Sequence, residues 1–249
     1  MLVTENDLDA ALDRLYSEHY LARSISELLE RSPQDSAYRV LSRGQKIALL
    51  IFLVVSAAWL LFDYVSYLIT INLVFTAFYL AFSTYKFYLI YRALSRDLEV
   101  PVTEEDIRKL DDRDLPVYTI LIPVYREAEV LVELLNSLRK LDYPQAKLDI
   151  KILMEADDQE TIQAFHRWKP PSHFHGIIVP YGQPKTKPKA CNYGLIRARG
   201  DYVVIYDAED LPEPDQLKKI VVAFSKAPPD VVCIQSKLNY YNRNQNLLT

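Results

Sequence analysis

Asp207 and Glu209 stand two residues apart in the run YDAEDLPEPDQL. Two carboxylates at that spacing offer hard oxygen ligands of the kind that hold Mg or Mn against a diphosphate. Lys187 or Lys189, in the run KPKACNYGL, can add a point charge to the same diphosphate, and an aromatic ring such as Tyr125 can cover a base. A divalent cation and an ammonium together would stabilise a departing nucleoside diphosphate, because negative charge builds on the leaving oxygen in the transition state. Two other phosphate-holding devices are excluded: with only five glycines the chain contains neither GxGxxG nor GxxxxGK[ST]. Taken alone, DAED is also the sequence of an acidic turn that caps the next helix, and Asp210 suits that role. His166, His173 and His175 are close in sequence, but HRWKPPSHFH holds two prolines and no Cys or carboxylate at ligand spacing, so it reads as a loop packed on a sheet.

From Pro116 onward, strand-like apolar runs alternate with helical stretches, the sequence form of a mostly parallel α/β sheet. Strands are expected over 117–123, 148–154, 175–180 and 201–207, with a fifth in VVCIQSKL (Val231–Leu238); helices are expected over 127–140, 159–168, 188–198 and 214–225. A polar cluster follows each of the first four strands: Tyr125 and Glu127, then Glu155, Asp157 and Asp158, then Lys187, Lys189 and Asn192, then Asp207, Glu209 and Asp210. Ligands of open α/β sheets bind beyond the carboxyl ends of the strands, so the four clusters are expected to line one cleft. Asp158 is equally placed to act as the N-cap of the helix after it.

The first half of the chain has a different character. The 39 residues from Ile47 to Tyr85 carry one formal charge, Asp63. At about 1.5 Å per helical residue they reach roughly 58 Å, against a hydrocarbon layer of about 30 Å, which predicts two transmembrane helices over 47–62 and 67–89 with a turn at Asp63–Ser66. Arg43 and Lys46 precede the pair and Lys86, Arg92 and Arg96 follow it, so both termini and everything after the pair are expected on the cytoplasmic side of an inner or plasma membrane. Residues 5–31 read as an amphipathic helix that packs on the main domain or lies on the membrane surface, and 97–115 as a charged link with a short helix. The expected organisation is a cytoplasmic helical segment (1–45), two transmembrane helices (46–92), a linker (93–115) and an α/β domain (116–249).

Composition narrows the partners. A net charge of -4 and a pI near 5.6 argue against a nucleic-acid binder. Cys191 and Cys233 are too few for a disulfide framework and lack metal-site spacing, which points to a reducing compartment. The acidic, polar first residues exclude a cleavable signal peptide at that position.

The runs ILIPVYRE (Ile120–Glu127), EADDQET (Glu155–Thr161), KPKACNYGL (Lys187–Leu195) and YDAEDLPEPDQL (Tyr206–Leu217) resemble, in order and spacing, the successive motifs of membrane-bound processive family 2 glycosyltransferases, the group of cellulose, chitin and hyaluronan synthases. The resemblance covers 116–249 and extends loosely to the paired apolar helices. It implies a GT-A-like fold, a nucleotide-sugar donor of the UDP-sugar type, inversion at the sugar, and a glycan or lipid acceptor. By the same resemblance Pro123, Tyr125 and Glu127 lie at the base pocket, Asp157 or Asp158 contacts uracil or ribose, Lys187 holds phosphate with Asn192 in the same motif, Asp207 and Glu209 hold the cation, and Gln235 lies near the sugar. Glu209 stands where the family more often has Asp, a change that lengthens the reach by one methylene. The family continues with an acceptor-side carboxylate base, a Gln/Arg/Trp element and further membrane helices, none of which is located before Thr249. The chain is therefore expected to be an incomplete enzyme whose acceptor half lies further on or on a partner chain. The alternative is a catalytically silent nucleotide-sugar-binding or assembly subunit. A nucleotidyltransferase would share the α/β scheme but needs no membrane helices and usually carries an early glycine-rich loop.

Overall fold

The computed structural model describes residues 5–38, 40–95 and 99–237. Helix α1 (Glu5–Arg31) opens the chain, and α2 (Arg43–Phe62) and α3 (Tyr64–Leu94) follow as a pair. The pair belongs to one compact unit, Arg31–Glu99, whereas the residues up to Glu30 join the chain from Val100 onward in the other. Each of α2 and α3 is long and apolar enough to cross a membrane, and neither has a buried residue. A capping box starts α2: Ser42 Oγ accepts from the Gln45 N–H at 3.2 Å, and Gln45 Oε1 accepts from the Ser42 N–H at 2.8 Å. Asp63 makes the turn single-handed. Its N–H closes α2 on the Trp59 carbonyl at 2.9 Å, and its carboxylate caps α3 by accepting from the Ser66 N–H at 3.1 Å. The turn is thus shorter than the Asp63–Ser66 segment expected, because the acid that reads as a loop residue is the N-cap of a helix that begins at once.

In the other unit, the short helix α4 (Glu104–Arg108) precedes β1 (Tyr118–Val124), α5 (Ala128–Leu138), β2 (Leu148–Glu155), α6 (Gln159–Arg167), β3 (Phe174–Val179), α7 (Lys187–Leu195), β4 (Tyr202–Ile205) and α8 (Gln216–Lys226). All four strands pair in parallel in the order β3-β2-β1-β4, with Ile120 opposite Ile150 and Val204, and Ile150 opposite Phe174. This is the helix-flanked, mostly parallel sheet that the alternation of elements predicts. Period-two alternation divides the strand side chains between two faces. Ile120, Ile122, Ile150, Ile152 and Met154 meet Leu131, Leu134, Leu135 and Leu138 of α5, Phe165 of α6 and Leu217 of α8 in the larger core. Leu121, Leu153, Ile177 and Val179 meet Ala190, Cys191 and Tyr193 of α7, with Tyr20 and Leu21 of α1 packed against them.

The fifth strand expected at Val231–Leu238 is not there: residues 231–237 have no regular structure, and Leu238 lies outside the described residues. The run is rich in β-branched residues, but that preference is realised only where a face is buried, and Val232 is 90% exposed.

The lower half of the second face is polar. Asp149 and Lys151 of β2, only 2% and 1% exposed, pair at 2.8 Å. The remaining lone pairs of Asp149 accept from Thr119 Oγ1 at 2.8 Å, the Arg199 N–H at 3.1 Å and its guanidinium at 3.2 Å. Gly200 enters beside them, where an added Cβ would stand 2.4 Å from the Thr119 nitrogen, so only glycine fits between α7 and β4. Removing one partner of a buried pair strands the other in a dry site. Asp149→Ala is therefore expected to lower stability by about 3–5 kcal/mol in denaturant unfolding, and adding Lys151→Met to recover part of the loss.

Candidate functional site

The clefts at the carboxyl ends of parallel strands are set by connection order. β1, β2 and β3 step outward in one direction, and the chain then returns to place β4 on the other side of β1. The reversal falls between β1 and β4, where the following loops part and leave a crevice. Tyr125–Glu127 flank it from β1, and Tyr206–Asp210 from β4. Pro123, within β1, is two residues past Leu121, whose carbonyl takes the last bond from that side, the Tyr206 N–H at 3.1 Å. A strand tolerates a proline where its missing N–H has no neighbour to serve.

Arg126 has φ of 59°, a left-handed conformation that non-glycine residues seldom adopt. Asp158 sustains it. One carboxylate oxygen accepts from the Arg126 N–H and the other from the Thr161 N–H at 3.2 Å, so Asp158 caps α6 while holding the β1 loop. Desolvation pushes the Asp158 carboxyl up, but the Arg126 N–H, the side chain and N–H of Thr161 and the Arg126 charge together outweigh it, and the net shift is downward. Asp158 is 5% exposed, which leaves Asp157 as the carboxylate of this pair on the open side.

Asp157 accepts from the Lys185 ammonium and, at 3.4 Å, from the Tyr125 hydroxyl. The Lys185 Nζ also lies 5.4 Å from the centre of the Tyr125 ring and 4.9 Å from that of Tyr181. The ammonium holds the Asp157 carboxyl below its ordinary range, and Asp157 raises Lys185 in return. Sequence reasoning passed over Lys185. The signal was the flanking Tyr181: in PYGQPKTKPK the lysine nearest an aromatic is the one that meets two of them.

The other lysines of that run divide their tasks. Lys189 is 3% exposed, paired with Glu155 at 2.9 Å and bonded to the Gly182 carbonyl at 3.1 Å, so it ties the loop after β3 to the end of β2. Lys187, at the start of α7, reaches across to the Asp207 carboxylate. Asn192 donates Nδ2 to the Ser24 carbonyl of α1 at 3.0 Å, and the ring of the next residue, Tyr193, meets Tyr20 edge-on at 6.2 Å. The structure thus gives Asn192 a bond to the N-terminal helix.

After β4, the Asp207 N–H donates to the Asp210 carboxylate at 2.8 Å and the Asp210 N–H to the Asp207 carbonyl at 3.0 Å, a closed turn that presents Asp207 and Glu209 outward. Partial desolvation pushes the Glu127 carboxyl up, the Asp207 and Glu209 charges add to the push, and Lys187 and the Tyr125 backbone oppose it. Glu127, Asp207, Glu209 and Lys187 therefore share one electrostatic field across the crevice. Among the described residues no three His, Cys, Asp or Glu side chains gather closely enough to hold a metal by themselves. One or two carboxylates, such as Asp207 and Glu209, would suit a hard cation that takes its other ligands from phosphate and water. Gln235 is exposed, and its neighbour Ser236 accepts from Gln216 Nε2 at 3.1 Å.

Asp158→Ala should cost about 1 kcal/mol at neutral pH, the scale of a lost N-cap. Because the folded carboxyl is depressed, its stabilisation is present above the ordinary carboxylate pKa near 4 and fades as pH falls through the lower folded value. Unfolding curves of wild type and variant are expected to converge on acidification.

Comparison with known proteins adds the following. The Glycosyl transferase family 2 model matches residues 119–249, more than half of the chain. The chain is 23% identical over 124 residues to the poly(ribitol-phosphate) beta-N-acetylglucosaminyltransferase TarS of Staphylococcus aureus, covering 48% of this chain and 21% of that protein. It is 28% identical over 155 residues to glucomannan 4-beta-mannosyltransferase 2 of Arabidopsis thaliana, covering 58% of this chain and 28% of that one. Among solved structures, the mannosyltransferase PcManGT from Pyrobaculum calidifontis in complex with GDP-Man and Mn2+ superposes with a TM-score of 0.49 and 28% identity, over 63% of this chain and 43% of that one. The chain spans about a fifth to a quarter of the length of the two curated relatives.

Proposed function

Since the chain belongs to glycosyl transferase family 2, we propose that its α/β unit binds a nucleotide-sugar donor, foremost a UDP-sugar, for inverting, cation-dependent glycosyl transfer that builds a polysaccharide or glycolipid. The observation that carries the reading is contact between strand ends. Lys185, after β3, meets Asp157 after β2 and Tyr125 after β1, while Lys187, at the start of α7, meets Asp207 after β4. Polar groups from all four strands therefore face one another where open parallel sheets take their ligands.

Tyr125 offers a ring to stack on the base, and Pro123 and Glu127 bound that pocket. Asp157 accepts an N–H from base or ribose, with Asp158 as the residue that positions the loop. Lys187 pairs with the donor diphosphate, a stronger anion than the single carboxylate it faces here. Asp207 and Glu209 would hold Mg or Mn, with Glu127 at hand across the crevice, and the bound cation supplies Lewis-acid stabilisation of the leaving diphosphate. Lys187 stabilises the same charge with a proton-bearing group that need not transfer its proton. Asn192 acts through α1 rather than at the donor, and Gln235 is assigned to the sugar side.

In this proposal α2 and α3 anchor the unit in an inner or plasma membrane. Their flanking Arg43 and Lys46 on one side and Lys86 and Arg92 on the other favour a cytoplasmic catalytic domain. A glycan or lipid acceptor reaches the donor at that face.

The test is calorimetric titration of the detergent-purified chain with UDP, with and without Mn, beside Asp207→Ala. Binding that strengthens with Mn and weakens at least about tenfold in the variant is expected, the size of one charge-assisted contact. Absence of UDP binding with Mn present would sink the UDP-donor reading, and absence of both UDP and GDP binding the donor site itself.

A further inference from the structure

Lys185 has no part in the roles assigned above, yet no other described side chain in the site meets as many of its candidate groups. Its ammonium is bonded to Asp157, lies over Tyr125 at 5.4 Å and over Tyr181 at 4.9 Å, and is drawn from a loop that follows a different strand from either Asp157 or Tyr125. The backbone of that loop is fixed independently of this contact. Lys189, buried, holds the Gly182 carbonyl at 3.1 Å, and Leu21 of α1 packs so closely that a Cβ on Gly182 would stand 2.9 Å from it. The long side chain of Lys185 is thus the adjustable part of an otherwise anchored loop.

A base stacked on Tyr125 would come against the charged groups beside that ring: the Lys185 ammonium lies 5.4 Å and the Arg126 guanidinium 5.1 Å from its centre. The same Asp157 oxygen accepts both from Lys185 and from the Tyr125 hydroxyl, so an incoming base N–H must compete for it.

We propose that Lys185 is the resident occupant of the base subsite, a cationic placeholder that a nucleotide base displaces from Tyr125 and Asp157 on binding. The inference rests on the donor-site reading and deepens it. The placeholder keeps the Asp157 carboxylate and the two tyrosine faces paired in the empty protein, and it sets a threshold that weakly stacking ligands do not pass. Because the contact between Lys185 and Asp157 is partly exposed, salt loosens it, and the placeholder weakens as ionic strength rises.

The experiment compares wild type, Lys185→Ala and Lys185→Arg, all as the full detergent-purified chain, with uridine and guanosine and with their diphosphates in the presence of Mn. Nucleosides carry no phosphate, so the loss of a positive charge near the diphosphate does not enter their affinities. Lys185→Ala is expected to bind the preferred nucleoside roughly threefold to tenfold more tightly, the sum of a surface ion pair and a cation–π contact, while Lys185→Arg stays near wild type. Raising salt should tighten nucleoside binding to wild type and leave Lys185→Ala unchanged. Diphosphate binding with nucleoside affinity unchanged or weakened in Lys185→Ala would overturn the placeholder and leave the donor site standing. Failure of every protein, wild type included, to bind either nucleoside or diphosphate would overturn both.

Discussion

The return of the chain across β1 to lay down β4 is the constraint on which the site depends. Parallel strands need crossovers, and crossovers that run first one way and then the other leave the loops after β1 and β4 without a connection between them. Glu127 flanks that crevice on one side and Asp207 and Glu209 on the other; partial burial pushes the Glu127 carboxyl up, and the charges of the two acids after β4 add to the push. Like charges held in one field are unfavourable until a cation or an ammonium arrives, and Lys187 already supplies one. That unbalanced negative charge is the physical basis of the proposal that the crevice takes a divalent cation with an anionic ligand.

The two faces of the sheet are unequal for a related reason. α5, α6 and α8 cover one face with a continuous apolar core, while α7, only nine residues long, covers the other. The other part of that face carries Asp149, Lys151 and Thr119, all buried and knit together with Arg199 into a hydrogen-bonded group that satisfies their polar atoms. α1 completes the covered part through Tyr20, Leu21 and Ser24.

Much of this was legible in the sequence. The apolar runs placed four strands to within a residue or so at their starts, and those of the two central strands, β1 and β2, are almost unbroken because both of their faces are buried. β4 was the exception at its end: its apolar run continues to Tyr206, but its ladder stops at Ile205, and the Tyr206 side chain turns into the core with its hydroxyl on Gln216. The candidate acids were visible as clusters after strands, yet sequence left Asp158 open between ligand contact and capping of α6, and only its bonds to the Arg126 and Thr161 N–H groups show that it faces inward. Alternating lysines in PKTKPK carry no mark of which is buried. Lys189 owes its burial to Glu155, thirty-four residues earlier, and long-range pairing of that kind leaves no local signature. The run at Val231 misled because β-branched residues advertise a strand without naming its partner.

The bond between Asn192 and the Ser24 carbonyl joins groups 168 residues apart. At synthesis rates of about 5–20 residues per second, roughly 10–30 s separate the emergence of α1 from that of the helix it packs against. In that interval both apolar helices, α2 and α3, leave the ribosome, and so do the first three strands. α1 is therefore made well before the helix it packs against and reaches its place only after that helix has emerged. Its docking closes the longest loop recorded among these hydrogen bonds, a step of assembly that comes only after the α/β unit has formed a surface to receive it.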